Sequence, residues 1–223
     1  MPKVNKPRVS RVYYVDLWYT HMQSGVKDMS TAIILAGGKS RRMGRDKLAL
    51  TVGGQTLLEA AVARFSAVFD SVCISVAEQD KYPGIAAGRI ADIYPGCGPL
   101  SGLHAALLAT TDDAVFLVAA DLPFSDPHAA KEIMRLRGDA DACIIKREDG
   151  YIEPLFGCYG RSILPVCEAA LLAGEYKMTA LLARLDTRYI SERDLGAHWD
   201  RRLLLNVNYP EDYEKIENHS RNT

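Results

Sequence analysis

Short apolar runs alternate along this chain with segments of helical period, and no other feature narrows the fold as far. A strand covered on both faces reads as a near-continuous apolar run. A helix that covers it shows an apolar stripe at three- and four-residue spacing. Thr31–Leu35, Val72–Val76, Arg89–Ile93 and Ala114–Ala119 read as such strands. A helix from Thr56 carries a capping box of Thr56 and Glu59 and a stripe of Leu58, Ala61, Val62, Phe65 and Phe69. Pro99 to Ala109 is a second helix, and Asp126 to Leu136 a third, begun by Asp126-Pro127. The pattern predicts an α/β fold: a single three-layer, Rossmann-like domain around a mostly parallel sheet.

Beyond the third helix the pattern changes. Ala142–Lys146 and Ile152–Tyr159 flank Asp149-Gly150, a hairpin signal, so the second run is expected to lie antiparallel and make the sheet mixed. Helical segments follow near Ser162–Ala173 and Met178–Arg184, then a short strand at Leu203–Val207 and a closing helix at Pro210–Glu217. In open α/β sheets ligands lie outside the carboxyl ends of the strands. Leu35, Ser75, Asp92 and Asp121 all fall at or near such ends.

Length suits one domain with a full core, here assigned to residues 30–223. The formal net charge of −1 argues against a nucleic-acid partner, and no apolar run approaches membrane-spanning length. Five cysteines without a C-x-x-C pair argue against a disulfide framework or a zinc site and fit reduced thiols in cytoplasm. Residues 1–29 begin with Lys3, Lys6, Arg8 and Arg11 and continue with Tyr13, Tyr14, Trp18 and Tyr19, with no apolar stretch of the kind a secretory signal needs. They are expected to form a poorly ordered extension, with Met29 a candidate functional start.

The chemistry concentrates behind the first strand. Gly37-Gly38 is followed by Lys39, Arg41, Arg42, Arg45 and Lys47. Glycines let backbone N–H groups approach a ligand, and guanidinium and ammonium groups suit a polyphosphate. The P-loop is excluded because Gly44 is followed by Arg45 and Asp46, and G-x-G-x-x-G because the two glycines are adjacent. A solvated basic loop would show the same cations; the strand before it and the aspartates after it argue for phosphate. Asp121 follows the apolar run Phe116 to Ala120, where a carboxylate is costly unless paired or bound to metal. Magnesium is usually held by one or two carboxylates plus substrate phosphates. Aspartate is also common in turns such as Asp121-Leu122-Pro123. Asp92 precedes Gly98-Pro99-Leu100-Ser101-Gly102, a helix entry with free N–H groups.

Leu35-Ala36-Gly37-Gly38, Arg42-Met43-Gly44 and Asp46-Lys47 resemble the opening of the molybdenum cofactor guanylyltransferase family. The likeness runs, with gaps, from about Thr31 to Glu217. It implies a fold of the nucleotide-diphospho-sugar transferase type. It also implies GMP transfer from Mg²⁺–GTP to the terminal phosphate of molybdenum-bound molybdopterin. Leu35, Ala36, Gly37, Gly38, Lys47, Asp92 and Asp121 would bind nucleotide, Asp121 would hold Mg²⁺, and Arg42 and Lys47 would stabilise the leaving pyrophosphate. Where the family has an asparagine after its second strand this chain has Ser75, whose hydroxyl is the available substitute. Asn206 and Asn208 match a late Asn-Val-Asn segment beside the acceptor, although Asn208 also suits an N-cap. Molybdenum-insertion proteins and client molybdoenzymes are the implied partners. Two other readings stand beside this one: a cytidylyl- or sugar-phosphate nucleotidyltransferase, and a non-catalytic cofactor-delivery adaptor. The Arg42-Met43-Gly44, Asp46-Lys47 and Gly98-Pro99-Leu100 motifs lean toward guanylyl transfer.

Overall fold

The computed structural model of the chain describes residues 30–37, 48, 51–52 and 54–207. Nine strands are present among them: β1 (Thr31–Leu35), β2 (Thr51–Val52), β3 (Gln55–Thr56), β4 (Ser71–Val76), β5 (Gly88–Ala91), β6 (Ala114–Ala119), β7 (Ala142–Lys146), β8 (Ile152–Gly160) and β9 (Thr187–Ile190). The helices are α1 (Leu57–Ser66), α2 (Pro99–Ala109), α3 (Pro127–Arg137), α4 (Leu164–Leu172) and α5 (Met178–Leu182). Seven strands form one sheet in the order β5-β4-β1-β6-β8-β7-β9, and β2 and β3 form a separate small hairpin. β5, β4, β1 and β6 run parallel, β8 is antiparallel to β6 and β7, and β9 is parallel to β7. This is the single α/β domain with a mixed, mostly parallel sheet that the alternation implied.

Period-two alternation sends neighbouring residues of each central strand into different layers. Ala32 and Ile34 of β1, with Phe116 and Val118 of β6, pack under α1 and α3. Ile33, Leu35, Val115 and Leu117 pack against α2, α4 and α5. Both strands are buried throughout, which is why they read as unbroken apolar runs. In the first layer Phe116 lies 6.3 Å from Phe65, 6.1 Å from Phe69 and 4.9 Å from Phe156, ring centre to ring centre. Burying each such ring contributes about 1.5–3 kcal/mol.

Local signals set the element ends. Thr56 caps α1: its hydroxyl accepts from the Glu59 N–H at 3.1 Å, and the Thr56 N–H donates to the Glu59 carboxylate at 2.7 Å. Asp126 caps α3 by accepting from the His128 N–H at 2.9 Å, with Pro127 in the first turn. At the β7–β8 turn Gly150 has φ +84°, a left-handed conformation that favours glycine.

Two expected strands change and one unexpected strand, β9, joins the main sheet. The third strand ends at Ala91 instead of Ile93. Leu203–Val207 is not a strand: Leu203 and Leu205 N–H groups close turns onto Asp200 and Arg202, and Val207 N–H leaves for the Asp121 carbonyl. The segment has the apolar content of a strand, but its Leu203, Leu205 and Val207 N–H groups bond within turns and to Asp121 instead of along a neighbouring strand. β9 had no sequence signal strong enough to name it, because an edge strand of four residues needs one buried face, here Ile190. The expected helix at Pro210–Glu217 lies outside the described residues, as does the 1–29 extension.

Candidate nucleotide site

The carboxyl ends of β1, β4, β5 and β6 lie side by side along one rim of the sheet. β1 leads on to β4 on one side and β6 leads on to β7 on the other, so their ends flank the point where strand order reverses, the usual ligand crevice of such sheets. Backbone bonds stitch the rim together. Ala36 N–H donates to the Ser75 carbonyl at 2.9 Å, Ala120 N–H to the Leu35 carbonyl at 3.2 Å, and Asp92 N–H to the Val76 carbonyl at 3.0 Å. Leu35 and Ala36 are buried, whereas Gly37 is exposed at the rim.

Asp92 stands just beyond β5, half-buried, with the Ser75 hydroxyl 3.5 Å from its Oδ1. Burial pushes the Asp92 carboxyl up to about 6, opposed by that hydroxyl. Ser75 itself is buried, so its hydroxyl acts on the rim through Asp92. α2 begins directly above. Gly98 (φ +71°) precedes Pro99, and the Ser101 hydroxyl accepts from the Tyr94 N–H at 3.3 Å. Gly102 lies against Ser75 and Leu35 so closely that a Cβ there would stand 2.4 Å from Ser75 Oγ and 2.7 Å from Leu35 Cδ2. His104 of α2 is buried with its ring edge-on to Tyr94, 5.3 Å between centres, and burial holds its pKa below the ordinary value. It packs inside the fold against Tyr94.

Asp121 follows β6 at the next strand end and is half-buried. Its carbonyl accepts from Val207 N–H at 3.0 Å, which brings the segment holding Asn206 to the same strand end. Of the residues singled out from sequence, Leu35, Ala36, Gly37, Ser75, Asp92, Asp121 and Asn206 thus meet on one side of the sheet. Gly38, Arg42, Lys47 and Asn208 lie outside the described residues.

Glu153 was missed. It is the second residue of β8, is 4% exposed, and its carboxylate accepts from Leu155 N–H at 3.1 Å and the Tyr151 hydroxyl at 3.2 Å. Burial pushes its carboxyl above the ordinary range, the two donors oppose this, and the Asp121 charge adds to it. The available signal was a lone acid at the head of an otherwise apolar strand.

A mixed sheet of this order, with Gly37 after β1 and Asp121 after β6, is the scaffold of a nucleotidyltransferase. Residues 32–189 match the family model described as MobA-like NTP transferase domain. A Carboxydothermus hydrogenoformans protein named "Probable molybdenum cofactor guanylyltransferase" is 34% identical over 187 residues, 83% of this chain and 94% of its own. The molybdenum cofactor guanylyltransferase of Syntrophotalea carbinolica is 34% identical over 190 residues, 83% of this chain and 89% of its own. The crystal structure of molybdopterin-guanine dinucleotide biosynthesis protein A from Archaeoglobus fulgidus superposes with a TM-score of 0.76 at 26% identity, covering 86% of this chain and all of that one. The chain belongs to the molybdenum cofactor guanylyltransferase family.

Proposed function

We propose that this protein transfers GMP from GTP to the terminal phosphate of molybdenum-bound molybdopterin, forming the guanine dinucleotide cofactor and releasing pyrophosphate. The observation that carries this reading is the lining-up of the Leu35–Gly37 segment, Asp92 and Asp121 along one rim of the sheet in a chain whose curated relatives bear the guanylyltransferase name. Those names favour guanylyl transfer over the cytidylyl, sugar-phosphate and adaptor readings.

Leu35, Ala36, Gly37 and Gly38 would bind the nucleotide; the Ala36 N–H is taken by the Ser75 carbonyl, so the phosphates would meet the glycine backbone. Arg42 and Lys47 neutralise the charge that gathers on the leaving pyrophosphate, where positioning and electrostatics supply most of the acceleration. Asp92, steadied by Ser75, contacts the nucleoside. Asn206 and Asn208 face the acceptor. The acceptor phosphate is already ionised near neutral pH and needs no general base.

A divalent ion fits the residues present. Among the described residues no group of three or more His, Cys, Asp or Glu side chains gathers to hold a metal. Magnesium does not require one, because one or two carboxylates plus substrate phosphates suffice. Asp121 would hold it, half-buried beside the phosphate turn. When bound, the ion screens charge between the phosphate groups. We place the reaction in cytoplasm, where the five free cysteines stay reduced, with molybdenum-insertion proteins and client molybdoenzymes as partners. Among the described residues no helix is long and apolar enough to cross a membrane.

The test is pyrophosphate release from each of GTP, CTP, ATP and UTP with magnesium and molybdenum-loaded molybdopterin. Release that depends on acceptor and prefers GTP is expected. A preference for CTP, or GTP binding with no release, would overturn the reading.

A further inference from the structure

The turn that follows β6 carries Asp121 and is drawn tight by its own backbone. Leu122 N–H donates to the Ala119 carbonyl and Ser125 N–H to the Leu122 carbonyl, each at 3.2 Å. One face of α1 docks on this turn. Leu57, in the first turn of the helix, packs with Phe124 and Val207. Arg64 lies about two turns further along the helix and so on the same face. Its Nη2 donates to the Leu122 carbonyl and to the Ser125 hydroxyl, both at 3.3 Å. Leu122 and Ser125 are buried, so these bonds lie inside the fold.

Arg64 is a costly residue for that place. Among the described residues no carboxylate pairs with it, its Nε is buried without a hydrogen-bond partner, and burial holds its pKa below the ordinary value. A buried polar group without a partner calls for a reason, and an unpaired charge is costlier still. The last turn of a helix suits a cation, but one placed there for the helix alone would face water. An apolar side chain would complete the Leu57 face without that cost. What the guanidinium does that an apolar side chain cannot is bridge two points of the Asp121 turn.

We propose that Arg64 is a positioning residue for nucleotidyl transfer: by tying Leu122 and Ser125 to α1 it fixes the backbone that presents Asp121 at the rim. This rests on the reaction reading above, in which Asp121 acts at the phosphates. Displacing a reacting group by about 1 Å can cost about 100-fold in rate, so a loosened turn is felt in turnover before it is felt in the fold.

The test is a double-mutant cycle on the full chain. The kcat for acceptor-dependent pyrophosphate release from Mg²⁺–GTP is measured for wild type, Arg64→Met, Asp121→Asn and the double variant, well below each melting temperature. Arg64→Met keeps the apolar stem and removes the donors. Its kcat should fall about 10- to 100-fold. In the Asp121→Asn background the same change should cost less than about threefold, because residues that act as a unit do not add. An arginine that merely stabilised the fold would lower the melting temperature and leave kcat alone, so an undiminished kcat in Arg64→Met overturns the proposal. An equal loss in both backgrounds also overturns it, since Arg64 would then act independently of Asp121. If Arg64→Met does not fold, Ser125→Ala decides, because it removes one acceptor and keeps the cation. A several-fold loss of kcat confined to chains that retain Asp121 supports the proposal, and unchanged kcat overturns it. A wild type that releases no pyrophosphate from GTP overturns the reaction reading and the proposal together, whereas an active wild type with either failure above overturns the proposal alone.

Discussion

The Ser75 hydroxyl and the Asp92 carboxylate, on the neighbouring strand ends of β4 and β5, lie 3.5 Å apart beneath the first turn of α2. This pair joins the buried sheet to the rim. Burial raises the Asp92 pKa from 3.8 to about 6, and the hydroxyl holds it from rising further.

A pH dependence follows from that shift. Below the unfolded value both states hold the proton. As pH rises from about 4 to about 6 the unfolded chain releases its proton before the folded one does, so Asp92 removes stability across that window. Above about 6 the cost is constant. Asp92→Asn should match wild type near pH 4 and become the more stable of the two by pH 7, while losing GTP affinity. Urea unfolding at several pH values measures this. A gap that does not change with pH would show that Asp92 is not the group responsible.

Gly102→Ala sets two effects against each other. Helix propensity favours alanine by about 1 kcal/mol. The added methyl would sit 2.4 Å from Ser75 Oγ and 2.7 Å from Leu35 Cδ2, and overpacking typically costs about 1–3 kcal/mol. The clash should win, lowering stability by about 1 kcal/mol and weakening GTP binding as Ser75 is pushed from Asp92. Urea melts and nucleotide titration would show it; a stabilised variant would mean that α2 shifts freely.

Asp121→Asn preserves shape and removes charge. Turnover should fall by at least about 100-fold, as for loss of a group that stabilises charge in the transition state, with circular dichroism unchanged. The Asp121 carbonyl still accepts from Val207 N–H, so the Asn206 segment stays in place. Near-normal turnover would remove Asp121 from the reaction.

The thiols give a test of packing. Cys143, Cys158 and Cys167 are buried, and burial pushes them up to about 11, about 12 and about 12. They should resist alkylation at pH 7.5 until the chain unfolds, whereas half-exposed Cys97 should react in the native protein. Mass spectrometry of the labelled chain reads this directly. Labelling of Cys158 as fast as Cys97 would mean that the β6–β8–β7 part of the sheet opens in the native state.

Much of the architecture was legible because its signals are local. β1 and β6 announce themselves as unbroken apolar runs, Thr56 and Glu59 as a capping box, Asp149-Gly150 as a turn. Each of these depends on residues within a few positions of one another. Leu203–Val207 has the apolar content of a strand, but the partner of its Val207 amide, Asp121, is distant in sequence, and no local pattern records it. β9 is an edge strand whose parallel pairing to β7 likewise exists only in three dimensions.

By itself the sequence determined the layered α/β plan, the order of its elements and the positions of Asp92 and Asp121 at strand ends, because hydrophobic period and capping chemistry act over short stretches of chain. Tertiary structure decided what those residues face. It inserted β8 antiparallel between β6 and β7, with Val118 opposite Phe156. It pressed Gly102 onto Ser75 and turned that hydroxyl to Asp92. These are pairings across strands and layers, and they form only when the buried faces of distant segments close on one core.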